Sequence, residues 1–251
     1  MHVIIGALVI AGSFLWATSY FSMDFDGFLS RYALILLIGV PIGLTLVTYR
    51  FSALWEAIKG LSSAVFHQPE RERERLAENL LAFGRAMRGA KAQAASDIIE
   101  SEDDPVFKRL GRHVLERGDI EEMEADALVF GRRQLHPYRR AERVLSSLGD
   151  FSPAMGMIGT VIGLIQLLAQ MQDFEKLGSG MAIALLTTLY GLMLAHLLYL
   201  PLARLVSDFG AQRAENINLT VDAMLKLARR RPLHEVQELI GTANSPEKAT
   251  A

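Results

Sequence analysis

The sequence contains no cysteine, so it has no disulfide framework and no metal or redox site built on thiols. Its six histidines show neither HxxxH nor HExxH spacing, which leaves a zinc site without support. There is no nucleotide-binding glycine loop and no recognisable nucleophile–base pair, and 26 basic residues are balanced by 28 acidic ones. We therefore expect no resident metal, no cofactor, no nucleic-acid partner and no enzymatic activity.

The most informative absence is that of charge from four apolar runs, at residues 3–21, 32–49, 153–171 and 181–202. None of these runs has Asp, Glu, Lys or Arg in its interior. Runs of roughly 20 apolar residues are long enough to cross a hydrocarbon core. No basic residue precedes the first run and no small-residue cleavage site follows it, so we interpret it as a retained helix rather than a signal peptide. The sequence predicts an all-α integral membrane protein with four transmembrane helices in two hairpins.

The polar segments set the domain organisation. Residues 1–50 are predicted to form the first hairpin, 51–150 a cytoplasmic helical domain, 151–205 the second hairpin, and 206–251 a cytoplasmic C-terminal helix and tail. Lys and Arg number 17 in residues 50–150 and 7 in residues 204–251, and only Arg31 and Lys176 lie in the two short turns. By the positive-inside rule, both termini and the central domain face the cytoplasm. Within that domain, an apolar stripe at helical spacing predicts a core-facing helix and comprises Leu76, Leu80, Leu81, Phe83 and Met87. Asp104 before Pro105 predicts the start of a later helix, and Gly118 its end.

The second hairpin combines small residues with hydroxyl groups. Gly156, Gly159 and Gly163 recur at helical spacing and would permit close helix packing, although glycine is also common in membrane helices generally. The hydroxyl groups belong to Thr160, Thr187, Thr188 and Tyr190. Such oxygens can solvate sodium or line a file of water, and they do not titrate near neutral pH. The alternative is that each threonine bonds back to its own helix. If ions cross here, the carboxylate that carries them must come from another subunit.

Asp150 precedes the third apolar run directly. One interpretation makes it a cation attractor at the cytoplasmic mouth of a channel. The other makes it an N-terminal cap for a helix that begins at Pro153, with Ser152 as the competing cap. The two interpretations are compatible.

Residues 150–205 resemble the core of flagellar stator A subunits, the MotA/PomA family of the MotA/TolQ/ExbB superfamily. The resemblance rests on SPAMGMIGTVIGLIQLL and LGSGMAIALLTTLYGLMLAHLLYLPLARL. It implies a homopentamer in the bacterial inner membrane around a dimer of a B subunit, whose membrane helix brings the ion-carrying aspartate. It also implies that ion flow turns the A ring and that the cytoplasmic domain acts on the rotor C-ring. Thr160, Thr187 and Thr188 fall where sodium-driven members coordinate the ion, which favours Na⁺ over H⁺ as the transported ion without deciding between them.

The same resemblance assigns roles to further residues, and the sequence departs from the family pattern at some positions. Pro153 and Pro201 match the family pattern and are expected at helix hinges or gates, whereas Ser179 stands where members usually have proline. The rotor-facing residues are expected among Arg85, Arg88, Lys91, Asp97 and Glu100. The usual family run from an arginine through two glycines to a glutamate is only loosely matched there. A solvated helix face is the simpler interpretation of the three basic residues, so the motor core is better supported than flagellar coupling.

Two other functions stay open. An energiser of the ExbB/TolQ type would drive envelope work through a different partner, but such proteins usually have three spans, and the early hairpin and LLTTLYG argue against it. A non-conducting membrane scaffold would use the Gly and Ala faces for assembly only.

Overall fold

A computed structural model describes residues 6, 8, 9, 12, 13, 16, 33, 35–66, 69–89, 91–169 and 174–244. Within these ranges every regular element is helical, which confirms the all-α class. The α-helices of the described residues are α1 (Val40–Thr48), α2 (Phe51–Phe66), α3 (Pro69–Arg88), α4 (Ala92–Ser101), α5 (Pro105–Leu115), α6 (Ile120–Ala169), α7 (Phe174–Met193), α8 (Leu200–Ala228) and α9 (Leu233–Asn244).

The chain divides into two units. Residues up to 48 and residues 147–199 form the first, which we call the hairpin unit. Residues 49–146 and those from 200 onward form the second, which we call the helical domain.

Three of the four predicted membrane spans have helical counterparts in the described part of the chain. Ile120–Ala169 and Gly180–Ala228 are each long and apolar enough to cross a membrane. Ile35–Thr48 and Phe51–Phe66 add a third candidate if they are counted as one broken span. The predicted first span, residues 3–21, lies outside the described residues apart from isolated positions.

Helix α6 runs without interruption from Ile120 to Ala169, through the point where the sequence predicted a new helix at Pro153. The interpretation of Asp150 as an N-terminal cap is therefore wrong. A capping side chain accepts from the free amides of a first helical turn, and amides in a helix interior are already paired with carbonyls one turn earlier. Pro153 removes a single backbone bond, which this long helix tolerates.

Two π-helical turns, Ile35–Gly39 and Leu194–Tyr199, each end two residues before a proline. Proline has no N–H for the carbonyl four residues earlier, and its ring crowds that carbonyl. A locally widened turn absorbs this mismatch without ending the helix. After the first of these turns, the Thr45 hydroxyl donates to the Pro41 carbonyl at 2.7 Å. Pro201 thus lies where the helical geometry changes, and its role as a hinge stays a prediction.

The helical domain is built on the apolar stripe that the sequence indicated. Leu76, Leu80 and Phe83 of α3 are fully buried. Phe83 meets Phe107 of α5 edge to face, with the ring centroids 5.9 Å apart. The whole stripe lies within α3, which stops at Arg88, and α4 begins anew at Ala92.

Asp104 joins two helices of this domain, and its predicted capping role is confirmed. Its Oδ1 accepts from the amides of Val106 at 2.7 Å and Phe107 at 2.8 Å at the start of α5. Its Oδ2 lies 2.8 Å from Nη2 of Arg213 on α8, and Glu72 of α3 pairs with Nη1 of the same guanidinium. Burial opposes the charge on Arg213, but the carboxylates of Asp104 and Glu72 outweigh it and raise the pKa of the guanidinium.

Candidate ion-pathway site

The candidate site lies in the hairpin unit, where α6 and α7 meet along a seam of small residues. A Cβ added to Gly159 would lie 2.6 Å from Cβ of Thr187. One added to Gly163 would lie 2.9 Å from the backbone nitrogen of Ala184. One added to Gly191 would lie 2.7 Å from the carbonyl oxygen of Ser152. These separations leave no room for any side chain, so the glycines permit the close backbone approach that the sequence indicated.

The structure brings the threonines of the two helices together on this seam. Oγ1 of Thr160 on α6 lies 2.6 Å from Oγ1 of Thr188 on α7. The Thr160 hydroxyl also lies 3.0 Å from the carbonyl oxygen of Gly156, one turn back on its own helix. Thr160 therefore bonds both to its own backbone and across the seam, so the two alternatives from the sequence coexist at this residue.

A single main-chain oxygen is the centre of the cluster. The carbonyl oxygen of Ala184 lies 2.9 Å from the hydroxyl of Thr187, 3.4 Å from that of Thr160 and 3.5 Å from that of Thr188. Each hydroxyl can donate its one proton to a carbonyl or to another hydroxyl while its own lone pairs stay available. The cluster thus concentrates neutral oxygen acceptors, with Thr187 only 1% exposed. Such a set suits a hard cation and offers no titratable group.

The other residues predicted for the ion pathway lie apart from this cluster. Tyr190 is half-buried on α7, and Asp150 is exposed on α6. In the described part of the chain, no hydrogen bond links either side chain to the three threonines. Ser179, expected in a turn, lies within α7, because that helix begins at Phe174 rather than near residue 181.

The five residues predicted to face a rotor lie at the end of α3 and on the segment that follows it. All are exposed. Arg88 donates to the carbonyl oxygen of Arg231 at 2.6 Å, and Glu100 accepts from Arg112 at 2.9 Å. Asp97 accepts from Gln93 at 3.0 Å on its own helix. No shared partner draws Arg85 and Lys91 into one site with these residues among the described contacts.

Two features of the site escaped sequence reasoning. The Ala184 carbonyl is a backbone atom, so no residue type marks it. Gly180 packs against Leu167, with 3.2 Å between an added Cβ and the Leu167 Cβ, although the sequence placed this glycine in a turn. Its spacing from Ala184, one helical turn, was the available signal. Among the described residues, no group of three or more His, Asp or Glu side chains is placed to hold a metal ion.

Residues 98–218 match the sequence model of the MotA/TolQ/ExbB proton channel family. The chain is 43% identical over 84 residues to chemotaxis protein PomA of Vibrio alginolyticus, covering 34% of this chain and 33% of that one. It is 31% identical over 173 residues to motility protein A of Treponema phagedenis, covering 68% of this chain and 62% of that one. The matches thus span less than two thirds of the length of either relative. These relatives are motility and chemotaxis proteins rather than enzymes.

Two solved structures share the fold over nearly the whole chain. The MotAB structure of C. jejuni matches with a TM-score of 0.87 at 15% identity, over 99% of this chain and 97% of that one. The flagellar MotAB stator complex of Bacillus subtilis matches with a TM-score of 0.81 at 16% identity, over 95% and 96%. The predicted four-span architecture agrees with this likeness. The sequence relatives and the family model point to the same group of proteins, and residues 98–218 of this chain belong to the MotA/TolQ/ExbB proton channel family.

Proposed function

We propose that this chain is the A subunit of an ion-driven rotary stator of the flagellar motor. With a B subunit, it forms a cation channel and converts ion flow into torque on the rotor. The observation that carries the proposal is the oxygen cluster of Thr160, Thr188 and the Ala184 carbonyl. It lies in a hairpin that is closely packed at its glycines and whose apolar runs have no Asp, Glu, Lys or Arg in their interiors. Relatives named motility protein A and PomA support the assignment to motility.

The proposed transport step divides the work between two subunits. The B subunit supplies the aspartate that carries the ion, because no Asp or Glu lies in the interior of the two apolar runs of this hairpin. Hydroxyl and carbonyl oxygens then replace part of the hydration shell of the ion as it passes. Na⁺ is favoured over H⁺, since hydroxyls solvate sodium but do not titrate near neutral pH.

The remaining proposals concern assembly. The chain forms a homopentamer around the B subunits in the bacterial inner membrane, with both termini in the cytoplasm. The exposed charges from Arg85 to Glu100 act on the rotor C-ring. The likeness to the two MotAB structures supports a MotB-like partner.

Removing either hydroxyl of the Thr160–Thr188 pair should impair sodium-dependent motility. We expect Thr160→Val and Thr188→Val each to raise the sodium concentration for half-maximal swimming speed by about tenfold, the effect of losing one oxygen ligand. Thr160→Ser and Thr188→Ser retain the oxygen and should stay close to wild type. Because the two hydroxyls touch, the double valine variant should show less than the sum of the single effects. The assay is swimming speed against external sodium at fixed pH, in a stator-less host that also expresses the B subunit.

The same titration of the unmodified chain separates the alternatives. Speed that is indifferent to sodium but abolished by a protonophore would identify a proton-driven motor. Absence of motility under either condition, despite assembly in the membrane, would favour an energiser of the ExbB/TolQ type. A scaffold would keep its function in both valine variants.

The exposed carboxylate of Asp150 provides an independent test of ion attraction. Asp150→Asn should lower torque by about twofold at low external ion concentration and leave it unchanged at saturation, because a surface charge raises the local concentration of a cation without binding it. Since Asp150 caps no helix, the melting temperature should not fall. Equal loss of torque at all ion concentrations would contradict the proposed attraction.

A further inference from the structure

A basic cavity in the helical domain lies outside the ion pathway. It has a volume of about 540 Å³ and is lined by Arg88, Arg117, Arg230, Arg231 and His113. None of the residues that line it is acidic. Other arginines of this domain, such as Arg109 and Arg213, pair with carboxylates. The four arginines of the cavity form no ion pair within the described part of the chain.

The backbone adds a second observation at the same place. Among the described residues that are not glycine, Arg117 and Arg230 are those with positive φ, at 56° and 55°. Each of these arginines lies just after a helix whose end is closed by a backbone hydrogen bond that spans six residues. At the first end Gly118 N donates to His113 O at 3.0 Å, and at the second Arg231 N donates to Lys226 O at 2.9 Å. Glycine normally occupies this position, because a Cβ is strained there. The chain keeps arginine at both positions, and both arginines line one cavity.

The negative ends of helix dipoles offset only part of the positive charge of the four arginines in the cavity. The C-terminal ends of α3, α5 and α8 lie at the cavity, and each contributes about −0.5 charge. One Arg88 N–H is already used in its bond to the Arg231 carbonyl. Against a total of about −1.5 from the helix ends, the four guanidiniums bring about +4. The cavity therefore keeps a net positive charge and many unused N–H donors.

The volume of the cavity and its apolar lining residues indicate the kind of anion that it fits. Its volume falls within the usual range for small-molecule sites. Val114, Leu227 and Ala228 supply an apolar surface between the arginines. Guanidinium groups match phosphate oxygens in a bidentate geometry. We propose that this cavity is a nucleotide-binding site, in which the arginines hold the phosphates and the apolar surface receives the base.

The test is binding of ATP, without divalent cations, to the full-length chain in detergent, measured by isothermal titration calorimetry. Pyrophosphate and adenosine serve as the two halves of the ligand. We expect ATP to bind more tightly than pyrophosphate, adenosine to bind barely, and affinity to fall as salt rises. Arg117→Gly and Arg230→Gly should each weaken ATP binding by about tenfold.

The glycine variants keep the proposal falsifiable, because glycine relieves the positive φ at both positions. Their melting temperatures should match or exceed that of the wild type, so lost binding cannot be attributed to misfolding. As a charge-matched control, Arg132→Ala with Arg133→Ala removes two exposed arginines of α6 outside the cavity and should leave binding unchanged. Wild-type affinity in the double glycine variant would overturn the site. Equal binding of pyrophosphate and ATP would overturn a nucleotide as the ligand, and so would binding of a polyglutamate peptide in place of ATP.

Discussion

Replacing Gly159 with alanine should destabilise the second hairpin and abolish motility. The new Cβ would lie 2.6 Å from Cβ of Thr187 and 2.7 Å from its Oγ1. Thr187 is β-branched and 1% exposed, so no alternative rotamer can move its side chain away from the new Cβ. Overpacking of this kind costs about 1–3 kcal/mol. That corresponds to a fall in melting temperature of roughly 5 °C, measured by circular dichroism on the full chain in detergent.

The matched control is Gly178→Ala on α7, where an added Cβ meets nothing within 4 Å. It should melt within about 1 °C of the wild type. A compensating variant tests the mechanism directly: Thr187→Gly removes the opposing side chain and should restore much of the stability that Gly159→Ala loses. If Gly159→Ala melts like the control, the seam is looser than the geometry indicates.

Replacing Arg213 with leucine should produce the largest loss of stability in the helical domain. The substitution leaves Asp104, which is 3% exposed, without its cationic partner. Breaking a buried ion pair from one side costs about 3–5 kcal/mol. The two amides at the start of α5 continue to hold the carboxylate, which favours the lower part of this range. We expect the melting temperature of the full chain to fall by roughly 10 °C.

The comparison variant is Arg112→Leu, which breaks an ion pair of similar length at the surface. Arg112 and Glu100 lie 2.9 Å apart with side chains 58% and 64% exposed, so this loss should be within about 1 kcal/mol. Asp104→Asn keeps an oxygen for the cap but removes the charge, and Arg213→Leu added to it should then have a smaller effect than Arg213→Leu alone. Equal effects of Arg112→Leu and Arg213→Leu would contradict the importance of burial.

The sequence predicted the parts of the fold that depend on local pattern. Apolar runs indicated the membrane helices, the periodicity of Leu76, Leu80 and Phe83 indicated the core of the domain, and Asp104 indicated a helix start. It also indicated close helix packing at the glycines of the second hairpin and a set of hydroxyl groups in the same hairpin. Each of these signals is carried by residue type and spacing along a single helix or hairpin.

The sequence did not predict the features that depend on tertiary context. Asp150 and Ser152 resemble caps before Pro153, yet helix propagation from Ile120 continues through all three. A capping hydrogen bond stabilises a helix end by about 1 kcal/mol, and packing along a long helix readily overrides this preference. Gly118 indicated a helix end, but the residue in the left-handed conformation is Arg117. The meeting of Arg117 with Arg230 in one cavity joins two helices more than a hundred positions apart, and no local pattern encodes such a contact.

The pairing of the hydroxyl donors within the threonine cluster has a consequence for biogenesis. Thr160, Thr187 and Thr188 find their partners within one hairpin, at Gly156, Ala184 and each other. A polar group exposed to lipid without a hydrogen-bond partner has a high free energy and would destabilise an unassembled chain. Here the hairpin can leave the translocon with these hydroxyl groups already hydrogen-bonded and can persist in the bilayer until the proposed B subunit arrives. Synthesis of this chain therefore need not be timed to that of the proposed B subunit.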